Sequence, residues 1–129
     1  MSRESHVLVV DDDREIAEMT ALLLRSAGHR VTLAGSGEEA LYLVQEDAPD
    51  LVLLDISMPG MNGWEVLRIL KEDETTSAIP VVMFSVHFEI REKLRALQQG
   101  ARDYVTKPFD TDGLLRRVQE ILAPAAEQV

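Results

Sequence analysis

Short apolar runs alternate along the chain with longer segments in which apolar residues recur at helical spacing. We predict one strand for each run, at residues 7–10, 30–34, 51–54, 81–84 and 103–105. The first, third and fourth runs are almost wholly apolar, which is typical of strands buried on both faces of a parallel sheet. The second and fifth runs are more polar and fit the sheet edges. The pattern therefore predicts an α/β fold of five β–α repeats, with helices on both faces of the sheet.

Helix signals fill the intervals between these runs. The first predicted helix covers about residues 14–27 and ends before Gly28, a usual stop signal. The second begins at Ser36, which has Glu39 three residues later in a capping-box pattern. The other helices are predicted after Asn62-Gly63, at about residues 88–99 and at about residues 110–122.

Composition narrows the class of protein. A chain of 129 residues fits one domain, which we assign to residues 1–123, with residues 124–129 as a tail or the start of a linker. The formal net charge of −10 opposes binding to nucleic acids and anionic membranes. Cysteine is absent, which excludes disulfides and thiolate chemistry. Without a signal-peptide core or a stretch long enough to span a bilayer, we expect a cytoplasmic protein.

Acidic residues follow two of the predicted strands. In an open parallel sheet, ligands bind beyond the carboxyl ends of the strands, so Asp11, Asp12 and Asp55 should lie close together. Like charges at short range are costly unless a cation offsets them, and hard oxygen ligands suit Mg²⁺ or Mn²⁺. We interpret Asp13 as the cap of the first helix, a common role for aspartate.

A hydroxyl and an ammonium group follow the last two strands. An aspartate carboxylate can attack phosphorus and form an aspartyl phosphate, and Asp55 is the candidate nucleophile. Lys107 and the hydroxyl of Ser85 are the available donors to the transferred oxygens. Each residue alone is better explained by an ordinary structural role. Their coincidence at the strand ends favours a phosphoryl site.

These residues lie in segments that resemble the receiver domain of two-component response regulators. The matching segments are Val9-Val10-Asp11-Asp12-Asp13, Leu54-Asp55-Ile56-Ser57-Met58-Pro59-Gly60-Met61-Asn62-Gly63, Pro80-Val81-Val82-Met83-Phe84-Ser85 and Tyr104-Val105-Thr106-Lys107-Pro108-Phe109. Four such segments in order make the resemblance specific. It implies a flavodoxin-like doubly wound sheet of order 2-1-3-4-5, with helices one and five on one face. It further implies a regulator, not an enzyme, in which Asp55 accepts a phosphoryl group from a partner's phosphohistidine.

The resemblance also assigns roles to individual residues. Asp12, Asp55 and the backbone carbonyl of Ser57 would bind the metal directly, and Asp11 through water. Lys107 would contact the phosphoryl group and bridge to Asp55, and the Lys107-Pro108 bond would be cis. The Ser85 hydroxyl would move to the phosphoryl group, and the Tyr104 ring would turn inward behind it. This movement would change the surface formed by helix four, strand five and helix five.

Some further positions carry weaker expectations. Val86 follows Ser85 where the family more often has a smaller residue, so it is a candidate for controlling access, and His87 is a candidate for tuning hydrolysis. His6 and His29 show no metal-ligand spacing, and we expect them on the surface. Excess apolar residues on the first helix predict a docking patch for a partner kinase or phosphotransferase: Ile16, Met19 and Leu22.

The resemblance implies partners as well. The phosphodonor would be a sensor histidine kinase or a histidine phosphotransferase, and the reader a downstream protein or a fused output domain. A homodimer that forms on phosphorylation is a further expectation.

Two other classes of protein, an enzyme and a binding module, fit the sequence less well. A phosphatase of the haloacid-dehalogenase type also uses an aspartyl nucleophile, but it needs a second aspartate two residues later, where this chain has Ser57. A flavodoxin needs a hydroxyl-rich loop after the first strand, where this chain has three acids. A receiver that no longer takes phosphate should lack one of the key groups, and none is missing here.

Overall fold

The computed structural model describes residues 4–87 and 89–123. It contains five strands: β1 His6–Val10, β2 Arg30–Ala34, β3 Leu51–Asp55, β4 Val81–Ser85 and β5 Asp103–Thr106. All neighbouring strands pair in parallel, in the order β2-β1-β3-β4-β5. The predicted fold and strand order are confirmed.

Five helices connect or follow the strands: α1 Arg14–Ser26, α2 Gly37–Glu46, α3 Gly63–Glu72, α4 Ile90–Gln98 and α5 Thr111–Leu122. Their starts are set by local capping, because the first backbone N–H groups of a helix have no partner within it. The Asp13 side chain accepts a hydrogen bond from the Ile16 backbone N–H, and Ser36 does the same for Glu39. Both predicted caps are confirmed.

Burial follows the sheet order. β1, β3 and β4 lie in the middle of the sheet, and all of their residues are buried. The edge strands β2 and β5 are only partly buried, as their more polar sequences predict. The three central strands therefore form a rigid base beneath the residues that follow them.

The helices cover the sheet in two layers. α1 and α5 pack on one face, where Ala17 and Ala21 meet Leu114 and Val118 in one apolar cluster. α2, α3 and α4 cover the other face, where a second cluster includes residues of all three. This confirms that the first and fifth helices share a face. Among the described residues, no helix has the length and apolarity that crossing a membrane requires.

One expectation differs from the structure, and two fall outside it. His6, expected on the surface, is buried and shares a 2.8 Å hydrogen bond between its Nε2 and the Thr32 hydroxyl. It begins a central strand, where its backbone pairs with Arg30 on one side and forms hydrogen bonds with Asp50 on the other, and the surface assignment was wrong. The predicted start of the fourth helix at Phe88 and the tail at residues 124–129 lie outside the described residues.

Candidate functional site

Three carboxylates meet where β1 and β3 end. Asp11, Asp12 and Asp55 each place one oxygen within 4.8 Å of the others. Asp11 and Asp55 are buried, whereas Asp12 is exposed. The backbone N–H of Asp11 donates to the Ala34 carbonyl at 3.0 Å, which holds the loop after β1 against the end of β2. The predicted cluster is therefore present, with one side open to solvent.

Lys107 brings the only ammonium group found at this cluster in the described structure. Its Nζ lies 2.7 Å from an oxygen of Asp11 and 3.3 Å from an oxygen of Asp55, and its side chain is 9% exposed. Its backbone N–H donates to the Ser85 carbonyl at 2.7 Å, which fixes the loop after β5 against β4. The Lys107-Pro108 bond is cis, as the resemblance implied.

The charges perturb one another. Burial raises the pKa of Asp55 to about 6, and the nearby carboxylates of Asp11 and Asp12 add to that increase, while Lys107 opposes it. Burial alone would lower the pKa of Lys107, but its contacts with Asp11 and Asp55 raise it above the ordinary value. The lysine thus stays charged, and the cluster has more negative charge than one ammonium group can offset.

This donor set fits a hard divalent cation. Carboxylate oxygens are the ligands that Mg²⁺ and Mn²⁺ prefer, and an excess of buried negative charge favours their binding. Ser57, the source of the expected third ligand, lies in the loop two residues after Asp55 and is exposed. That loop is held by a 2.9 Å hydrogen bond from the Gly63 N–H to the Ile56 carbonyl.

Ser85 ends β4 beside this cluster, and its side chain is buried. Its hydroxyl oxygen accepts a 3.0 Å hydrogen bond from the backbone N–H of His87. The Tyr104 hydroxyl donates to the backbone carbonyl of the same His87 at 2.7 Å. The Tyr104 ring is 4% exposed, so it already lies inward in this structure. One loop residue therefore connects the strand-end hydroxyl to the aromatic ring on β5.

The positions with weaker expectations lie on the surface. Val86 is 65% exposed and follows Ser85 directly, and the His87 side chain is exposed next to it. On α1, Met19 and Leu22 are exposed and Ile16 is partly buried. The structure thus leaves these five side chains accessible to a partner or a small phosphodonor.

Sequence reasoning missed two contacts at the site. The shorter contact of the Lys107 ammonium is with Asp11, whereas the resemblance implied a contact with Asp55. Phe109, two residues after the lysine, stacks on Phe84 of β4 with ring centroids 5.6 Å apart. An aromatic residue beside a functional loop was the available signal, because such rings commonly anchor a loop to the core.

Comparison with known proteins agrees with this geometry. The model of the response regulator receiver domain family matches residues 7–119. The protein PilH of Pseudomonas aeruginosa is 41% identical over 120 residues, which are 92% of this chain and 98% of PilH. The DNA-binding response regulator MtrA of Mycolicibacterium smegmatis is 44% identical over 113 residues, which are 88% of this chain and 48% of MtrA.

Solved structures show the same fold. The receiver domain of the Francisella response regulator 1452 has a TM-score of 0.87 at 34% identity, with 92% of this chain and 97% of that chain covered. The chemotaxis response regulator CheY4 of Vibrio cholerae has a TM-score of 0.87 at 30% identity, with 93% and 100% covered. The chain belongs to the response regulator receiver domain family, a class of two-component signalling domains. It spans nearly all of PilH but about half of the MtrA proteins.

Proposed function

We propose that the chain is a phosphorylation-operated switch in which Asp55 accepts a phosphoryl group. One observation carries the proposal: the Asp55 carboxylate is buried within a cluster of three carboxylates, and the Lys107 ammonium lies 3.3 Å from it. A buried, charge-perturbed carboxylate at a strand end is a candidate reactive group. Family membership supports the same assignment.

The chemistry follows from these side chains. An Asp55 oxygen attacks the phosphorus of a partner's phosphohistidine and forms a new P–O bond. The P–N bond breaks, and the imidazole nitrogen leaves with the electron pair. Lys107 offsets the charge on the transferred oxygens, and Ser85 donates a hydrogen bond to one of them. The chain supplies one acceptor and acts as a regulator, not as an enzyme with turnover on external substrates.

The metal site is part of the proposal. Asp12, Asp55 and the Ser57 backbone carbonyl would hold Mg²⁺ or Mn²⁺ directly, and Asp11 would do so through water. The bound metal supplies positive charge next to the phosphoryl oxygens. The rate at which the phosphoryl group on Asp55 is hydrolysed would depend on access to the site past Val86 and His87.

The proposed output begins at Ser85. When its hydroxyl turns to the phosphoryl group, it gives up the hydrogen bond from His87, whose carbonyl accepts from Tyr104. The loop before α4 would then shift, and with it the surface of α4, β5 and α5. Only contacts that differ between two conformational states can shift their populations. The hydrogen bond from His87 to the Ser85 hydroxyl would be such a contact, since it would be present only while the hydroxyl is turned away from the phosphoryl group.

The proposed partners meet the chain at two surfaces. A histidine kinase or histidine phosphotransferase would dock beside the acid cluster, on the partly buried Ile16 and the exposed Met19 and Leu22 of α1. A downstream protein or a fused output domain would read the α4–β5–α5 surface. The MtrA relatives are DNA-binding regulators of about twice this length. We assign no DNA binding to the present domain, whose net charge is −10.

Intact-mass analysis after incubation with acetyl phosphate and Mg²⁺ tests the assignment. The wild type should gain the mass of one phosphoryl group, and Asp55→Asn should gain none. Asp13→Asn is the matched control, because Asp13 caps α1 and asparagine caps equally well. It should label like the wild type. Labelling of Asp55→Asn to the wild-type level would refute Asp55 as the acceptor, and equal labelling in EDTA would refute the metal requirement.

A further inference from the structure

A groove lies between α3 and α4, outside the phosphoryl site. It has a volume of about 540 Å³, which is within the range of pockets that hold small ligands. Residues of α3 and its cap Asn62 form one wall, and Arg95 and Gln99 at the end of α4 form the other. Neither Asp55 nor Lys107 contributes to its lining. The groove is therefore a candidate for a second ligand site.

An aromatic ring and a guanidinium group are stacked in this groove. The Cζ atom of Arg95 lies over the Trp64 ring, 4.0 Å from its centroid, and so connects α4 with α3. Guanidinium groups are planar and stack on aromatic faces. Because Arg95 is exposed, the other side of its guanidinium group is accessible to a further planar ring. The groove thus offers a stacking surface for a flat aromatic group.

Positive charge is in excess in the groove. Arg68, Lys71 and Arg95 line it, against two acids, Glu65 and Glu72. This balance reverses that of the whole chain, which has 23 acidic and 13 basic residues. At physiological ionic strength the Debye length is about 8 Å, so the local cations determine which ligands are attracted into the groove. Its charge favours an anion.

The two arginines are available to such an anion. In the part of the chain that the structure describes, Arg95 forms no ion pair with a carboxylate. Arg68 contacts Glu72 at 3.3 Å, but both side chains are more than half exposed, and surface pairs of this kind contribute little. A phosphate group can replace the glutamate, because it accepts two parallel hydrogen bonds from one guanidinium group. The Lys71 Nζ already donates to two backbone carbonyls, at 3.0 and 2.7 Å, so it contributes mainly its charge.

Few contacts hold α4, so its wall of the groove can adjust to a ligand. Its large apolar residues form an exposed apolar stripe on one side of the helix: Ile90, Leu94 and Leu97. The one buried residue of α4 is Ala96, and no side chain caps its first turn. Segments with so little buried apolar surface open and shift most readily. A ligand that contacts both walls would therefore help to fix the position of α4.

We propose that the groove between α3 and α4 binds a nucleotide, with its base stacked on the Arg95 guanidinium and its phosphate on Arg68. Arg68 lies one helical turn beyond Trp64 on the same side of α3, about 6 Å along the axis. The groove therefore requires a ring and an anion that are separated by a spacer, as a sugar separates base and phosphate. An aromatic carboxylate lacks this spacer. The inference goes beyond the proposed function and does not depend on it.

Fluorescence of Trp64, the only tryptophan of the chain, reports binding directly. Titration with AMP, GMP and UMP in EDTA should quench the emission saturably for at least one of them, with a dissociation constant below about 1 mM. The matching nucleoside, inorganic phosphate and benzoate should each bind at least about tenfold more weakly, because each lacks the phosphate, the ring or the spacer. N-acetyltryptophanamide corrects for absorption by the base. The proposal fails if no nucleotide saturates, or if the nucleoside, phosphate or benzoate binds as tightly as the nucleotide.

Calorimetry with variants locates the site independently of fluorescence. Arg95→Met removes the guanidinium group but keeps a long side chain, so it should weaken nucleotide binding about tenfold. Arg68→Met should reduce the affinity for the nucleotide to that for the nucleoside. Arg91→Met is the matched control, because Arg91 is exposed on α4 and does not line the groove, and it should bind like the wild type. Unchanged binding by Arg95→Met, or an equal loss in Arg91→Met, would overturn the assignment.

A last variant separates the groove from the phosphoryl site. Binding that Asp55→Asn retains would support the groove, since Asp55 does not line it. Binding that Asp55→Asn abolishes would place the nucleotide at the acid cluster and overturn the inference. Nucleotide binding by a chain that acetyl phosphate fails to label would refute the proposed function alone.

Discussion

Replacing Asp55 by asparagine should stabilise the metal-free protein. Burial raises the pKa of this carboxyl from the ordinary 3.8 to about 6, so the folded chain disfavours the ionised form. Asparagine has the shape of the protonated carboxyl but never ionises. The variant therefore avoids the unfavourable burial of a third negative charge beside Asp11 and Asp12.

The magnitude and its sign follow from the pKa. At about 1.4 kcal/mol for each unit of pKa, the increase in the pKa of Asp55 corresponds to about 3 kcal/mol in the free energy of unfolding at pH 7. Between these two pKa values the folded state holds more protons than the unfolded state, so the wild type gains stability as the pH falls through about 6. The advantage of Asp55→Asn should thus shrink to about half by pH 5.

Urea unfolding in EDTA at both pH values measures this free energy. Asp13→Asn should match the wild type at both, because Asp13 is exposed and asparagine keeps the cap of α1. With Mg²⁺ in excess, the wild type should regain stability through metal binding, and Asp55→Asn should gain less because it lacks one of the proposed ligands.

Two results would refute this reasoning. The first is an Asp55→Asn variant that is no more stable than the wild type at pH 7 in EDTA. That result would mean that Lys107 fully compensates the buried charge. The second is an advantage that stays the same at pH 5, which would show that the gain comes from packing and not from ionisation.

Three further predictions concern other parts of the fold. Gly63→Ala should lose about 2–3 kcal/mol in urea unfolding and weaken Mg²⁺ binding, because its Cβ would press on the Asp55 carbonyl oxygen and lie 2.7 Å from the Ile56 Cα. Gly35→Ala, with nothing within 4 Å, should change neither, and equal effects of the two would contradict this account. Burial and Arg30 lower the pKa of His6, so the wild type should lose stability as the pH falls below about 6.5. His6→Gln should lose less of its unfolding free energy over the same range, and parallel curves of unfolding free energy against pH would contradict this account. Val86→Ala should speed loss of the phosphoryl group or labelling by acetyl phosphate, measured by intact mass, because the branched side chain beside the site is removed; unchanged rates for both would count against it.

The sheet was predictable because its signals are local. Each strand is a short apolar run, and each matches the structure to within one residue at either end. The caps Asp13 and Ser36 act within three residues, so the sequence showed them directly. His6 was different, since its hydrogen-bonding partners Thr32 and Asp50 are distant in the chain. A polar residue at a strand start gives no sign that the fold will enclose it.

The candidate site was predictable in composition but not in pairing. Strand ends of a parallel sheet meet at one edge, which brings Asp11, Asp55, Ser85 and Lys107 together. The Lys107 ammonium lies 2.7 Å from Asp11 and 3.3 Å from Asp55, and both carboxylates are distant from it in the sequence. Sequence alone does not resolve a difference of 0.6 Å between two such contacts. The orientation of α4 is another such case. Periodicity identifies its apolar stripe, but tertiary packing places Ala96 and not that stripe against the sheet.

The loop between β4 and α4 connects the acid cluster to the surface of α4. His87 donates to the Ser85 hydroxyl and accepts from the Tyr104 hydroxyl, so the two side chains cannot be rearranged independently. Each neutral hydrogen bond contributes about 1 kcal/mol net. A phosphoryl group that drew the Ser85 hydroxyl away would therefore disturb contacts whose free energy is similar to a typical coupling free energy, about 1–3 kcal/mol. Tyr104 contributes to the lining of the groove between α4, β5 and α5, so a rearrangement of these contacts would change the shape of the surface that we propose as the output.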